Sequence, residues 1–138
     1  MLFDTIVNFV LRFLILILFI AIYTYILKLE ETGCACSEHE SRSFLKNFSM
    51  FSFVYLIITM FISSKVLFEK AGVIGASVYL FLDIIYIVLS IVFFWQAICY
   101  TRFLVNEKCK CSEDYRRELI MWGSMLEMFL IVLLLLIN

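Results

Sequence analysis

Two cysteine pairs carry the densest chemistry in this chain, Cys34-Ala35-Cys36-Ser37-Glu38 and Cys109-Lys110-Cys111-Ser112-Glu113. Four thiols in two Cys-x-Cys turns leave three readings open. They form disulfides that staple the turns, they hold one tetrahedral metal ion (zinc being the natural choice), or they stay free in a duplicated turn. Cys-x-Cys is tighter than the usual Cys-x₂₋₄-Cys metal knuckle, so zinc at Cys34, Cys36, Cys109 and Cys111 is the weakest of the three and no other cofactor is expected. The fifth cysteine, Cys99, sits in an apolar stretch and is expected to be a small buried hydrophobe.

The two motifs are copies. Cys34-x-Cys36-Ser37-Glu38 is followed by Arg42, Ser49, Met50 and Ile62 at the offsets at which Arg117, Ser124, Met125 and Ile137 follow the second motif. Upstream, one gap lays Ala21-Ile22 over Ala97-Ile98. The repeating unit is an apolar segment, a Cys-x-Cys turn and another apolar segment.

Composition sets the class of element that positions these turns. The chain is 64% hydrophobic and 17% charged, with a mean hydropathy of +1.05, far above an ordinary soluble domain. It has no proline and four glycines, so little interrupts long helices. Apolar segments at 6–27, 47–64, within 72–100 and from 119 onward each approach the ~20 residues that cross a bilayer. Backbone in lipid must satisfy itself, which makes these segments helices. The first lacks the basic start and the small-residue cleavage site of a signal peptide and is expected to remain. Polar connections are expected at 28–46 and 101–118, with a short turn at Lys65–Ala71. The expected fold is therefore all-α: an integral membrane four-helix bundle in one domain, 1–138. Two parallel-repeat helical hairpins, about 6–64 and about 72–138, build it.

Lysines and arginines set the orientation. Eight flank the Cys-x-Cys turns (Lys28, Arg42, Lys46, Arg102, Lys108, Lys110, Arg116, Arg117), against three at the other ends (Arg12, Lys65, Lys70). This places both turns on the cytosolic side and both termini across the membrane. Trp95, Trp122, Tyr100 and Tyr115 near those ends are expected to form an interfacial aromatic belt. Lys108, Lys110, Tyr115, Arg116 and Arg117 are candidates to meet anionic lipid headgroups or an acidic protein surface.

Charge inside an apolar span is costly, which singles out Arg12, Asp83 and Glu127. Asp4, Asn8 and Arg12 recur every four residues as one polar stripe, and Asp83 lies at a depth that lets it pair with Arg12. Glu127 aligns with Ser52 in the repeat, beside Ser49, Gly123 and Ser124, so both positions are expected to face inward. A neutral Glu127 hydrogen-bonded between helices is favoured over a proton pathway. His39, the sole histidine, has no evident partner. No Ser-His-Asp set, Gly-rich phosphate loop or His-Glu-x-x-His is present, and a net charge of −1 gives no reason to expect nucleic acid.

The second motif resembles the Cys-x-Cys-[Ser/Ala]-x-[Asp/Asn]-[Trp/Tyr]-[Arg/Lys]-Arg segment of small multi-span proteins of nucleocytoplasmic large DNA viruses. Cys109, Cys111, Ser112, Asp114, Tyr115, Arg116 and Arg117 carry the likeness. The first copy retains Cys34, Cys36, Ser37 and Arg42, with Glu40 and Ser41 in place of the aromatic and first basic residues. The resemblance implies a structural protein of the virion's internal membrane, or a minor capsid component, that ties the bilayer to capsid or other virion proteins. Such viruses often carry thiol-oxidation machinery, which makes disulfides on the cytosolic side plausible despite a reducing compartment. A non-enzymatic role is thus expected, with a homo-oligomer open. The alternative is a four-helix membrane thiol oxidoreductase using the loop cysteine pairs, although reactive pairs are usually Cys-x-x-Cys. A small ion or proton channel is third.

Overall fold

The computed structural model describes residues 2–61 and 64–137 of the chain. Among them the fold is all-helical: α1 (Leu2–Glu31), α2 (Glu40–Phe61), α3 (Ser64–Asn106) and α4 (Tyr115–Ile137). Two 3₁₀ turns, Ala35–Ser37 and Lys110–Ser112, sit in the connections α1–α2 and α3–α4. Both connections are shorter than expected. Helix α1 runs on through Glu31 and α3 through Asn106, because polar residues in a last helical turn do not end a helix. The expected turn at Lys65–Ala71 is helical instead, and the break falls at Gly72, whose φ of 64° and ψ of −161° suit only glycine.

Helix α1 packs on α2 and α4, and α3 on α4 and α2, closing a ring of four. The core is aromatic. Phe19 meets Phe93 at 5.0 Å, Phe94 at 5.7 Å and Phe48 at 6.3 Å between ring centroids. Gly123 lets α1 approach α4, since a Cβ there would stand 2.9 Å from Leu18 Cδ1.

The apolar core also holds polar side chains, and much of the outer face is apolar. Ser49, Ser52, Ser90, Thr101, Ser124 and Glu127 are buried, while Ile74, Leu80, Phe81, Val88, Leu126 and Phe129 are exposed. Among the described residues, two helical stretches are long and apolar enough to cross a membrane, Arg12–Glu31 and Gly72–Asn106.

Helices α1 and α3 end alike. The Gly33 N–H donates to the Glu30 carbonyl (3.1 Å) and the Cys34 N–H to Leu29 (3.1 Å). Lys108 and Cys109 repeat this pattern on Val105 (3.1 Å) and Leu104 (3.2 Å). This is the Schellman termination, which requires a left-handed residue just past the helix. Gly33 supplies it at φ 60°, but Lys108 must adopt φ 49° with a side chain attached. Relief of that strain by Lys108→Gly is expected to raise stability by about 0.5–1 kcal/mol, read as a higher unfolding midpoint in micelles. A lower midpoint would mean that the lysine side chain contributes more than its backbone costs.

Candidate functional site: the four-cysteine clasp

The Schellman turn reverses the chain and delivers the first cysteine of each pair directly beneath the helix end. Cys34 and Cys109 are consequently buried, while Cys36 and Cys111, in the middle of each 3₁₀ turn, are exposed. The two turns meet. Disulfides join them crosswise, Cys34 to Cys111 and Cys36 to Cys109, with Cα–Cα separations of 5.8 and 5.9 Å. The remaining sulfur neighbours are close as well: Cys34–Cys36 at 3.7 Å, Cys109–Cys111 at 3.7 Å, Cys34–Cys109 at 3.5 Å and Cys36–Cys111 at 3.4 Å.

Each hairpin also reaches into the other's turn. Tyr25 Oη on α1 donates to the Ser112 carbonyl at 2.7 Å, and Tyr100 Oη on α3 donates to the Ser37 carbonyl at 2.8 Å. Within each turn, Ser37 and Ser112 Oγ donate to the carbonyls of Cys34 and Cys109, both at 2.6 Å. Arg42 and Arg117 then donate to those serine hydroxyls at 3.1 and 3.3 Å. Every one of these contacts recurs at an offset of 75 residues. The register therefore passes without a gap through Tyr25 and Tyr100, and the gapped alignment of Ala21-Ile22 with Ala97-Ile98 gives way to it.

Tyr100 accordingly leaves the expected aromatic belt: it is 2% exposed and holds the opposite turn. Trp95, Trp122 and Tyr115 do stand outward. Cys99 is exposed and free, not buried, because the inward face of α3 runs through Ala97, Tyr100 and Thr101 and leaves position 99 on the outside.

Compared with known proteins, the chain matches no family model, no curated protein and no solved structure. The geometry of the site must carry the reading.

The candidate contact residues divide in two. Lys108, Lys110 and Tyr115 are exposed, and the Arg116 guanidinium lies 5.9 Å from the Tyr115 ring centroid. Arg117 turns inward instead, to Ser112 and to within 3.8 Å of Glu118. Of the charged residues in the apolar segments, Arg12 donates to the Thr59 carbonyl at 3.4 Å and Asp83 accepts from Tyr55 Oη at 3.3 Å. The expected Arg12–Asp83 ion pair is absent among the described residues: each finds a nearer polar partner on α2. The side chains of Asp4 and Asn8 lie outside the described residues. Glu127 is 5% exposed beside a face that also buries Ser124, and among the described residues its carboxyl has no hydrogen bond. Among the described residues, the expected interhelical bond to it is not formed.

Position 114 has a role that the motif alone did not reveal. Asp114 Oδ1 accepts the Arg116 N–H at 3.1 Å, capping α4, while Oδ2 takes Lys28 Nζ of α1 at 2.6 Å. His39, its counterpart, caps α2 through Nδ1 and the Ser41 N–H at 3.1 Å, with its ring 4.9 Å from that of Phe103. The Lys28 hydrogen bond, seconded by the Arg116 N–H, holds the Asp114 carboxyl below its ordinary value. A lowered folded value means that the stabilisation is complete above the unfolded-chain value of about 3.9 and disappears as pH falls through the folded one. Asp114→Ala should thus cost about 1 kcal/mol at neutral pH and progressively less as pH falls through the folded value, measured as the gap between the two unfolding midpoints. A gap that stays constant with pH would contradict the charged cap.

Proposed function

We propose that this chain is a multi-pass membrane protein with a structural, non-enzymatic role. Its two Cys-x-Cys turns form a rigid charged platform that attaches the bilayer to a protein shell. In this reading the four helices are two hairpins of the same orientation, related by a pseudo-twofold axis along the membrane normal that passes through the clasp. The shell is a virion capsid, as the likeness of the second motif to viral multi-span proteins suggests, and the turns lie on the cytosolic, capsid-facing side.

The observation that carries the proposal is the crosswise bonding of the two turns to each other. It locks one end of a bundle whose outer face is apolar, and leaves Lys108, Lys110 and Tyr115 exposed on the locked end. A thiol oxidoreductase is the alternative reading, but its reactive pairs are usually Cys-x-x-Cys, a spacing this sequence lacks.

Protease protection in sealed vesicles tests the membrane arrangement. Tags at both termini are expected to be shielded when the Cys-x-Cys turns are cleaved; a turn and a terminus cut from the same side would end the model. Mass spectrometry of purified virions against infected-cell membranes tests the location, and enrichment only in the cell membranes would argue against a virion role. The buried carboxyl separates support from conduit. Because Glu127 has no hydrogen bond to lose among the described residues and its burial is costly, Glu127→Leu should leave the bundle at least as stable as wild type, by up to about 1 kcal/mol. Glu127→Gln should leave vesicle proton flux at the empty-vesicle level, as in wild type. A pH-driven wild-type flux that disappears in Glu127→Gln would assign transport instead.

A further inference from the structure

We propose that the four clasp sulfurs have a second bonding state, in which the two disulfides are reduced and the four thiolates hold one divalent zinc ion between the hairpins. The inference rests on the clasp reading, because it uses the same meeting of the two turns.

Zinc tetrathiolate sites have Zn–S bonds of about 2.3 Å, which sets the six S···S edges of the tetrahedron near ~3.8 Å. Four of the six edges already stand at 3.4–3.7 Å, namely both edges within a pair and the two edges joining equivalent cysteines. The other two edges are the disulfides. All four sulfurs lie within 4.8 Å of one another. Breaking the two S–S bonds and letting those edges open completes the tetrahedron, with no change in which residues face one another. The tight Cys-x-Cys spacing is no obstacle here, because each 3₁₀ turn curls its two sulfurs to 3.7 Å.

The surroundings suit the charge of such a centre. Zinc with four thiolates carries a net charge of −2. Arg42 and Arg117 each donate to the serine that follows the second cysteine of a turn, and Arg117 Nε is buried without a partner among the described residues. An uncompensated buried guanidinium N–H finds its natural complement in an anionic cluster.

The conversion balances with a dithiol reductant. Each protein disulfide takes two electrons and two protons from one dithiol, which closes to its own cyclic disulfide, so two dithiols yield four thiols. Zinc then displaces the four thiol protons to solvent. The hairpins stay tied in both states: by covalent bonds under oxidising conditions, by the metal under reducing ones.

Cobalt titration of the detergent-solubilised full chain tests this. After reduction and removal of the dithiol, one Co²⁺ per chain is expected, with the visible bands of a tetrahedral tetrathiolate, displaced by one equivalent of Zn²⁺. The oxidised chain should bind none. Cys36→Ser or Cys111→Ser should weaken Co²⁺ binding at least about tenfold. Four titratable thiols, retained helical circular dichroism and no cobalt bands would overturn the metal state. Binding that survives serine at both cysteines of one turn would overturn it too. Failure of the underlying clasp looks different: peptide mapping of the oxidised chain would lack the Cys34–Cys111 and Cys36–Cys109 cross-links.

Discussion

Replacing all four clasp cysteines by serine is expected to lower stability by about 4 kcal/mol, whereas removing one disulfide alone should cost only a small part of that. The disulfides close loops of 77 and 73 residues, and the smaller loop is nested in the larger. In the chain-entropy account, closing a loop of this length restricts the unfolded chain by about 4.5 kcal/mol. Once one bridge is in place, the second closes only two single-residue gaps, so it adds little further restriction. The paired variant Cys34→Ser with Cys111→Ser should therefore behave nearly as wild type, and so should Cys36→Ser with Cys109→Ser. The loss in the quadruple variant should far exceed the sum of their two losses. Unfolding midpoints in micelles, taken with a chelator so that no metal substitutes for the bridges, measure all three. Two half-sized, additive losses would show that each bridge acts through local strain or packing rather than by closing the long loop.

Phe19→Ala should be the most damaging single substitution in the bundle, at about 3 kcal/mol. Phe19 on α1 touches Phe48 of α2 and both Phe93 and Phe94 of α3, so its ring joins three helices. In the bilayer setting proposed above, the hydrophobic transfer term largely disappears, because acyl chains are as apolar as the side chain. What is lost is dispersion, the aromatic edge and stacking contacts, and the close packing around the hole left behind. Phe81→Ala is the matched control, since that ring is 63% exposed on the outer face of α3 and should change stability by less than about 0.5 kcal/mol. Equal effects from the two would refute the assignment of inner and outer faces.

Much of the architecture was legible from residue types. A proline-free chain that is 64% hydrophobic has few alternatives to long helices, and the duplicated Cys-x-Cys turns mark where the chain reverses. The repeat was equally legible, and Tyr25 and Tyr100 lay within it at the offset of the cysteines, hidden by a gap that the contacts do not need. Those signals are local: they depend on composition and on spacing along one chain.

Other features were settled only when the two turns came together. Which cysteines pair depends on how the turns cross, and spacing is silent about crossing. Cys99 faces outward and Tyr100 inward although they are neighbours, because a helix turns about 100° per residue and only packing fixes its rotation. Arg117 bonds Ser112 rather than standing with Lys108 and Lys110, since the 3₁₀ turn brings that hydroxyl within reach. Asp114 takes Lys28 from a helix 86 residues away, and Arg12 and Asp83 each choose a partner on α2 over one another. The amino-acid sequence by itself determined the helices, the repeat and the thiols available at each turn. Tertiary structure alone decided their partners, because a bond forms between groups that packing holds within a few ångströms, however far apart they lie along the chain.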